Sequence, residues 1–541
     1  MKTKRTWCVP LDSRYYYEPV SRQKKAMNGA ESLIRSFTAA GVNVCFANPG
    51  TSEMHLVQAV DAVPEMRAVL SLFEGVCTGA ADGYGRMTGI PATTLLHLGP
   101  GLGNGIANLH NARRASTPVI NLIGNHALYH VDYDAPLTSD IDTLAKNVSS
   151  WVKGDSTASS LASDGMLALQ FALTAKPGSA GQISTMIIPA DACWNEAGAA
   201  ASYLDVPERR TVDDKVITEV AQLLDDNSMI LINSDGLSIE ARIAANRISE
   251  KTGCRVSMTP FPSRVDGGAG LPGCERLPYF PEQVMAALNG VEKLILAGAD
   301  APVSFFAYPN TPSILVPDNC AVVRLSESEE DTTQALESLA DFLSVAGEGY
   351  SINQLADLEL PTGELSIRTI SAAIAALIPE GTIICGDSGG GGAAFGPCQT
   401  ARPNTWLNLT GGSIGQGGPV AVGAAVACPD RPVLALLGDG ASMYTNQSFW
   451  TQAREGLNVT TVIFNNSKYG ILETEYLRLG VNEVGERAAD LFDLSRPAID
   501  FVQLGNSMGV PGQAVETAEQ FVVALERSLS ESGPSLIEAR L

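Results

Sequence analysis

Between Val433 and Gly470 the chain spells out one complete parallel β-α-β unit with polar chemistry at both strand ends. The apolar run 433–437 reads as a buried strand and leads into Gly438-Asp439-Gly440. A helical pattern follows over 447–455, and a second apolar run, 460–464, ends in Asn465-Asn466. Crossovers between parallel strands are right-handed and set the two strands side by side. Asp439 and Asn466, 27 residues apart, are therefore expected together at the carboxyl ends of those strands, where open α/β sheets bind ligands. One carboxylate, one amide oxygen and main-chain carbonyls form a hard-oxygen set with room for waters and phosphate oxygens, which suits Mg2+ better than zinc or copper. The flanking glycines let a diphosphate approach the main chain.

The same strand-then-helix rhythm fills the rest of the chain. At roughly 150 residues per domain, 541 residues accommodate three or four domains, and the pattern divides into three α/β blocks: 27–195, 210–346 and 365–541. Polar, Gly- and Pro-broken stretches separate them. The expected fold is three doubly wound parallel-sheet domains with helices on both faces. Residues 1–26 stand apart as a tail, in which Lys2, Lys4, Arg5, Arg14, Arg22, Lys24 and Lys25 outnumber Asp12 and Glu18. No apolar core follows them, so the tail does not read as a secretory signal. With 36 basic and 59 acidic side chains the net charge is −23, which argues against nucleic acid or an anionic membrane as a partner. No apolar run is long enough for a membrane helix. The cysteines are scattered without a C-x-x-C pair, as expected for reduced thiols in a cytoplasmic protein.

Two further segments carry candidate chemistry. In the third block, strand 382–385 opens into Gly386-Asp387-Ser388-Gly389-Gly390-Gly391-Gly392, a main-chain cradle for a phosphate group; no Gly-Lys-Ser/Thr ends it, so it is not a P-loop. In the first block, residues 73–86 read as a helix in which Gly75, Gly79 and Gly83 recur every fourth residue. Each glycine costs about 1 kcal/mol relative to alanine in a helix, so the bare stripe implies close packing against a partner helix, in this chain or in another subunit. Glu74 sits at the entrance of that helix between Phe73 and Val76, where an apolar setting lets a carboxyl group exchange a proton with a bound base.

Taken together, G-D-G and N-N at this spacing resemble the signature of the thiamin-diphosphate-dependent enzymes. The resemblance implies that Asp439, Asn466 and the main-chain carbonyl of Lys468 bind Mg2+, which holds the diphosphate of thiamin diphosphate. Gly440 and Ala441 are implied to touch that diphosphate, with Ser388, Gly389 and Gly390 on its other side and Tyr469, Gly470 and Ile471 after the N-N turn. Ile414, in Gly411-Gly412-Ser413-Ile414-Gly415, falls where the family places a bulky apolar residue beneath the bent cofactor. Residues 73–86 resemble the pyrimidine-binding helix, whose glutamate activates the cofactor from a neighbouring subunit. Glu74 is thus implied to be catalytic, and the protein to be a homodimer or a dimer of dimers with its site at the interface. The three blocks become pyrimidine-binding, central and diphosphate-binding domains.

The substrate end resembles the acetolactate synthase and benzoylformate decarboxylase group. Asn48-Pro49-Gly50-Thr51-Ser52-Glu53 looks like the substrate-side loop of that group, with Thr51 where the decarboxylase has serine. His97 lies 23 residues after Glu74, as the decarboxylase's first catalytic histidine does after its glutamate, and imidazole titrates where protonation of a carbanion requires it. The second histidine is replaced by Ala307; His126 and His130 are candidates to supply an imidazole from another direction. The activity implied by the resemblance is that of a 2-oxo acid decarboxylase or carboligase. An acetolactate-synthase-like enzyme makes an acyloin or acetohydroxy acid from an enamine and a second oxo acid or aldehyde. The alternatives are a benzoylformate-decarboxylase type that releases an aldehyde, and a catalytically silent homologue. FAD in the central block, as in acetolactate synthases, is left open. A nucleotide-binding dehydrogenase is disfavoured, because no G-x-G-x-x-G opens the first helix.

Overall fold

The computed structural model describes residues 27–541 apart from 178–180 and 388; the expected tail 1–26 and the candidate Ser388 lie outside the described residues. Three α/β sheets succeed one another along the chain. The first is six parallel strands in the order Arg67–Leu70, Val44–Asn48, Ala92–Leu96, Val119–Asn125, Ile183–Pro189 and Trp151–Lys153. The second has five, ordered Glu275–Arg276, Arg255–Met258, Ser228–Ile232, Lys293–Ala297 and Ala321–Ser326, again all parallel. The third runs Gly512–Val515, Ser535–Arg540, Val459–Asn465, Val433–Gly438, Thr382–Gly386, Asn404–Leu407 and Arg264–Gly267. Its central strands are buried over nearly their whole length, as the unbroken Val/Ile/Leu runs require when helices cover both faces.

One strand departs from the expected parallel arrangement. Arg264–Gly267 belongs to the middle block by sequence, yet it pairs antiparallel with Asn404–Leu407 on the third sheet. There it covers an edge that would otherwise present unpaired main-chain groups, and it ties the two blocks together.

Two glycines of the stripe, Gly79 and Gly83, find a partner helix within the same chain, while Gly75 faces the Phe73 ring and the Asn104 carbonyl. Helix Glu74–Thr88 lies against helix Gly417–Ala427 of the third block. A Cβ on Gly79 would stand 2.6 Å from Pro419, one on Gly83 would overlap the Val420 carbonyl, and one on Gly423 would overlap the Ala80 carbonyl. The backbones approach so closely that only hydrogen fits, and this packing recovers the helix-propensity cost. At the helix's far end the buried pair Arg86–Asp82 joins all three blocks: Arg86 donates two bonds to Asp82 (2.8 and 2.6 Å), one to Asn408 O at 2.6 Å and one to Ser263 O at 3.2 Å. Thr117 donates to the same carboxylate. Removing one partner of such a pair leaves a buried charge uncompensated, at about 3–5 kcal/mol.

The central sheet changes strand order between Ser228–Ile232 and Lys293–Ala297, the crevice in which a dinucleotide would normally sit. Here the chain fills it with its own groups. Asp235 accepts hydrogen bonds from Thr332 N–H (2.9 Å) and Thr333 N–H (3.3 Å), at the start of helix Thr332–Phe342. Arg209 donates to Asp235 Oδ1 at 3.0 Å and to the carbonyls of Ser328 and Glu330. A carboxylate thus occupies the N-terminus of that helix, a place where an anion could otherwise bind. Among the described residues no helix is long and apolar enough to cross a membrane.

Candidate active site

Strand Val433–Gly438 passes directly into the one-turn helix Asp439–Ser442, which leaves Asp439 only 5% exposed at the carboxyl end of the third sheet. One oxygen, Oδ1, accepts the Gly440 N–H at 2.7 Å; Oδ2 is buried and has no hydrogen-bond partner among the described residues. Burial pushes the carboxyl above its ordinary range, and the amides of Gly440 and of Asn466, Ser467 and Lys468 act in the opposite direction. The neighbouring strand Val459–Asn465 ends in the turn that supplies those amides. Asn466 Oδ1 accepts the Lys468 N–H at 3.2 Å, and Ser467 adopts a left-handed φ of 54°. The turn is anchored from behind by Tyr469 N–H to Phe492 O (2.9 Å) and Leu494 N–H to Ser467 O (2.8 Å). The Tyr469 ring lies on Gly440 so closely that a Cβ there would overlap it. Gly470 then opens helix Gly470–Leu477, with Ile471 exposed beside it.

This arrangement fits a divalent cation. A lone buried carboxylate oxygen needs a positive partner, and the groups beside it are an amide and a peptide turn rather than thiols or imidazoles. Among the described residues no cluster of three or more His, Cys, Asp or Glu side chains could hold a metal; a cation bound here would draw on Asn466 and the main chain, a donor set that Mg2+ accepts.

The glycine cradle continues strand Thr382–Gly386 as the short helix Gly389–Gly392. A Cβ on Gly390 would stand 3.0 Å from the Phe464 ring, which places the cradle against the strand that ends at Asn466. Loop 411–418, which presents the half-buried Ile414, is gripped by all three blocks. Asn111 exchanges bonds with the main chain of Ser413 (2.7 and 3.2 Å), and His110 Nε2 lies 3.0 Å from Gly411 O. Phe305 of the central block packs on Gly412, and Thr445 donates to Gly415 O at 2.6 Å.

In the first block, Glu74 is the first residue of its helix and 8% exposed. Asn104 donates to its Oε2 at 2.9 Å. Among the described residues no hydrogen bond or ion pair joins Glu74 to Asp439 or to the turn after Asn465 within one chain. His97 stands at the end of strand Ala92–Leu96 and precedes helix Leu98–Arg114. Its Nδ1 lies 2.8 Å from Glu53 Oε2 and 3.2 Å from Ser52 Oγ, and its side chain keeps 24% of its surface exposed. Glu53, fully buried, also accepts the Gly50 N–H at 2.7 Å. Side chains at Gly50 or Gly124 would overlap the His97 ring or the Glu53 carboxylate. Glu53 thus orients the imidazole, a role that sequence reasoning missed: an acid three residues into a turn reads as a helix-capping group, and the signal that could have marked it was its place beside the glycine in N-P-G-T-S-E. Thr51 opens the same turn and is exposed. His126 comes directly after strand Val119–Asn125, the neighbour of the His97 strand, so both imidazoles project from one end of the sheet. The His126 Nε2 is buried without a partner among the described residues, and its ring meets His130 edge-on at 5.5 Å. Ala307 and the candidate His130 are exposed.

Residues 27–146 match the thiamine pyrophosphate enzyme N-terminal TPP-binding domain, and residues 385–539 the C-terminal TPP-binding domain. A protein of Mycobacterium tuberculosis provisionally described as an acetolactate synthase large subunit, IlvX, is 48% identical over 516 residues, covering 95% of this chain and 98% of its own. Benzoylformate decarboxylase of Pseudomonas aeruginosa is 26% identical over 529 residues, 92% of this chain and 96% of that one. Among solved structures, the thiamine diphosphate-dependent 4-hydroxybenzoylformate decarboxylase of Rhodococcus jostii superposes with a TM-score of 0.79 at 24% identity, over 95% of this chain and 98% of that one.

Proposed function

The chain belongs to the thiamine pyrophosphate enzyme family, and on that premise we propose that it is a Mg2+-dependent 2-oxo acid decarboxylase and carboligase, with carboligation its main outcome. The observation that carries this reading is the buried, unpaired oxygen of Asp439 beside the turn of Asn466. In this reading Asp439, Asn466 and the Lys468 carbonyl hold the metal; Gly440, Ala441, Ser388, Gly389 and Gly390 surround the diphosphate; and Tyr469, Gly470 and Ile471 close the far side. Bound thiamin diphosphate supplies a nucleophilic carbon and an electron sink for the decarboxylated fragment. The chain's own work is to position and to move protons. Ile414 would pack against the ring and Glu74 would exchange a proton with the pyrimidine, its carboxylate held in place by Asn104. His97, aligned by Glu53, handles the proton at the substrate, with Thr51 and His126 at the same rim.

A homodimer or a dimer of dimers is supported by the same geometry. Among the described residues Glu74 has no partner in the Asp439 pocket of its own chain, and Leu72, Tyr129, Tyr133 and Ile471, close in sequence to the candidate site residues, lie exposed, as apolar surface awaiting a second copy does. The nine described cysteines are free thiols, which supports a cytoplasmic setting. The plugged crevice of the central sheet supports an enzyme without flavin: the purified protein is expected to show no absorption near 450 nm and no FAD uptake on titration. Stoichiometric FAD would contradict that reading of Asp235 and Arg209.

Ala307 stands where the resemblance implies a second histidine, so fewer proton donors would face the substrate, which would favour capture by a second carbonyl over release of an aldehyde. Product analysis with pyruvate and benzoylformate, with and without an acceptor aldehyde, tests this. His97→Ala is expected to slow aldehyde release more than carbon–carbon bond formation. Equal losses on both routes would mean that His97 acts before the branch point or only in packing.

A further inference from the structure

One buried carboxylate near the proposed site has no part in the chemistry of Glu74, His97 and Asp439. Asp387 ends the approach of strand Thr382–Gly386 and is 3% exposed. Its Oδ2 accepts two main-chain hydrogen bonds from loop 411–418: Gly415 N–H at 3.1 Å and Gly417 N–H at 3.0 Å. Its Oδ1 is buried with no partner, and no ion pair neutralises it among the described residues. A Cβ on Gly417 would stand 3.1 Å from the Asp387 carboxyl carbon, and Gly415 adopts a φ of +96°. Both contacts therefore depend on glycine, one for close approach and one for its backbone conformation. The other grips on the loop come from Asn111, His110, Thr445 and, through the Gln416 side chain, Arg86.

We propose that Asp387 is a positioning residue for the cofactor: it fixes the place of loop 411–418, and so of Ile414, relative to the glycine helix Gly389–Gly392. The proposal rests on the reading of this pocket as the thiamin diphosphate site. Ile414 lies between Ser413, which Asn111 holds, and Gly415, which Asp387 holds. Because Asp387 adjoins the cradle in sequence, its carboxylate links the residues at the diphosphate to the residue beneath the ring. Nothing else among the described residues bonds both Gly415 N–H and Gly417 N–H. Burial also pushes the Asp387 carboxyl up to about 6, the direction expected of a group that destabilises the fold when charged.

The test uses the full-length protein stripped of cofactor. Thiamin diphosphate with Mg2+ is titrated into wild type, Asp387→Ala and Asp387→Asn, with intrinsic fluorescence and the circular dichroism induced in the bound cofactor as readouts. Asp387→Ala is expected to bind about 30-fold or more weakly and to alter the induced signal, because the two amides lose their acceptor. Asp387→Asn keeps an acceptor oxygen in place and is expected to restore affinity to within about 5-fold of wild type. Thermal unfolding of the stripped proteins serves as the control, and neither variant should melt far below wild type, since each removes a buried charge. An alanine variant that binds with wild-type affinity and an unchanged induced signal would overturn the proposal, and so would an asparagine variant that fails as badly as alanine. If wild type itself takes up no cofactor, it is the assignment of the pocket to thiamin diphosphate that fails, a different result from either of these.

Discussion

Glu74→Gln is expected to bind thiamin diphosphate within a few-fold of wild type and to lose turnover by about 100- to 10,000-fold, the range associated with a positioned proton-transfer group. The substitution preserves the shape of the side chain. It also preserves an oxygen that can accept the Asn104 hydrogen bond now made at 2.9 Å. What it removes is the ability to take and return a proton. The carboxylate is almost completely buried at the start of a helix whose glycines lock it against Gly417–Ala427, so it cannot swing aside and be replaced by water. Near-normal turnover in this variant would sink the assignment of Glu74 as the activating group.

The features that were legible in the sequence are those in which residue type and spacing are tied to one geometry. Unbroken runs such as 433–437 admit few alternatives to a buried parallel strand, and the crossover rule then places the Asp439 and Asn466 turns. The stripe of Gly75, Gly79 and Gly83 announces a close helix contact for the same reason, though whether the partner lay in this chain was decided only by the fold. What escaped depends on contacts between distant segments. Arg264–Gly267 is too short to carry a pattern, and its pairing with Asn404–Leu407 is set by the docking of two blocks. Glu53 goes unremarked within the loop it ends, because its work is done on a histidine 44 residues away. Asp387 hides inside a glycine-rich run, and its two acceptor bonds reach 28 and 30 residues along the chain. Asp235 and Arg209 are polar residues in loops until the fold shows them filling the crevice of the central sheet.

Asp439→Ala carries the largest expected effect of all. Residues that merely orient a metal ligand are worth about 10- to 100-fold in affinity, so loss of a direct carboxylate ligand should cost at least that much and abolish retention of cofactor through purification. Folding should suffer little, because among the described residues Oδ2 makes no hydrogen bond and Oδ1 accepts one from the adjacent Gly440 N–H. The change relieves a buried charge rather than opening a gap in the apolar core.

Calorimetric titration of the stripped wild-type protein and of Asp439→Ala with thiamin diphosphate, in the presence and absence of Mg2+, tests the central claim most directly. The account predicts stoichiometric, Mg2+-dependent uptake by wild type, and no measurable uptake by an Asp439→Ala protein that unfolds at a similar temperature. Uptake by wild type that ignores Mg2+, or stoichiometric binding of both cofactor and metal by the alanine variant, would contradict it.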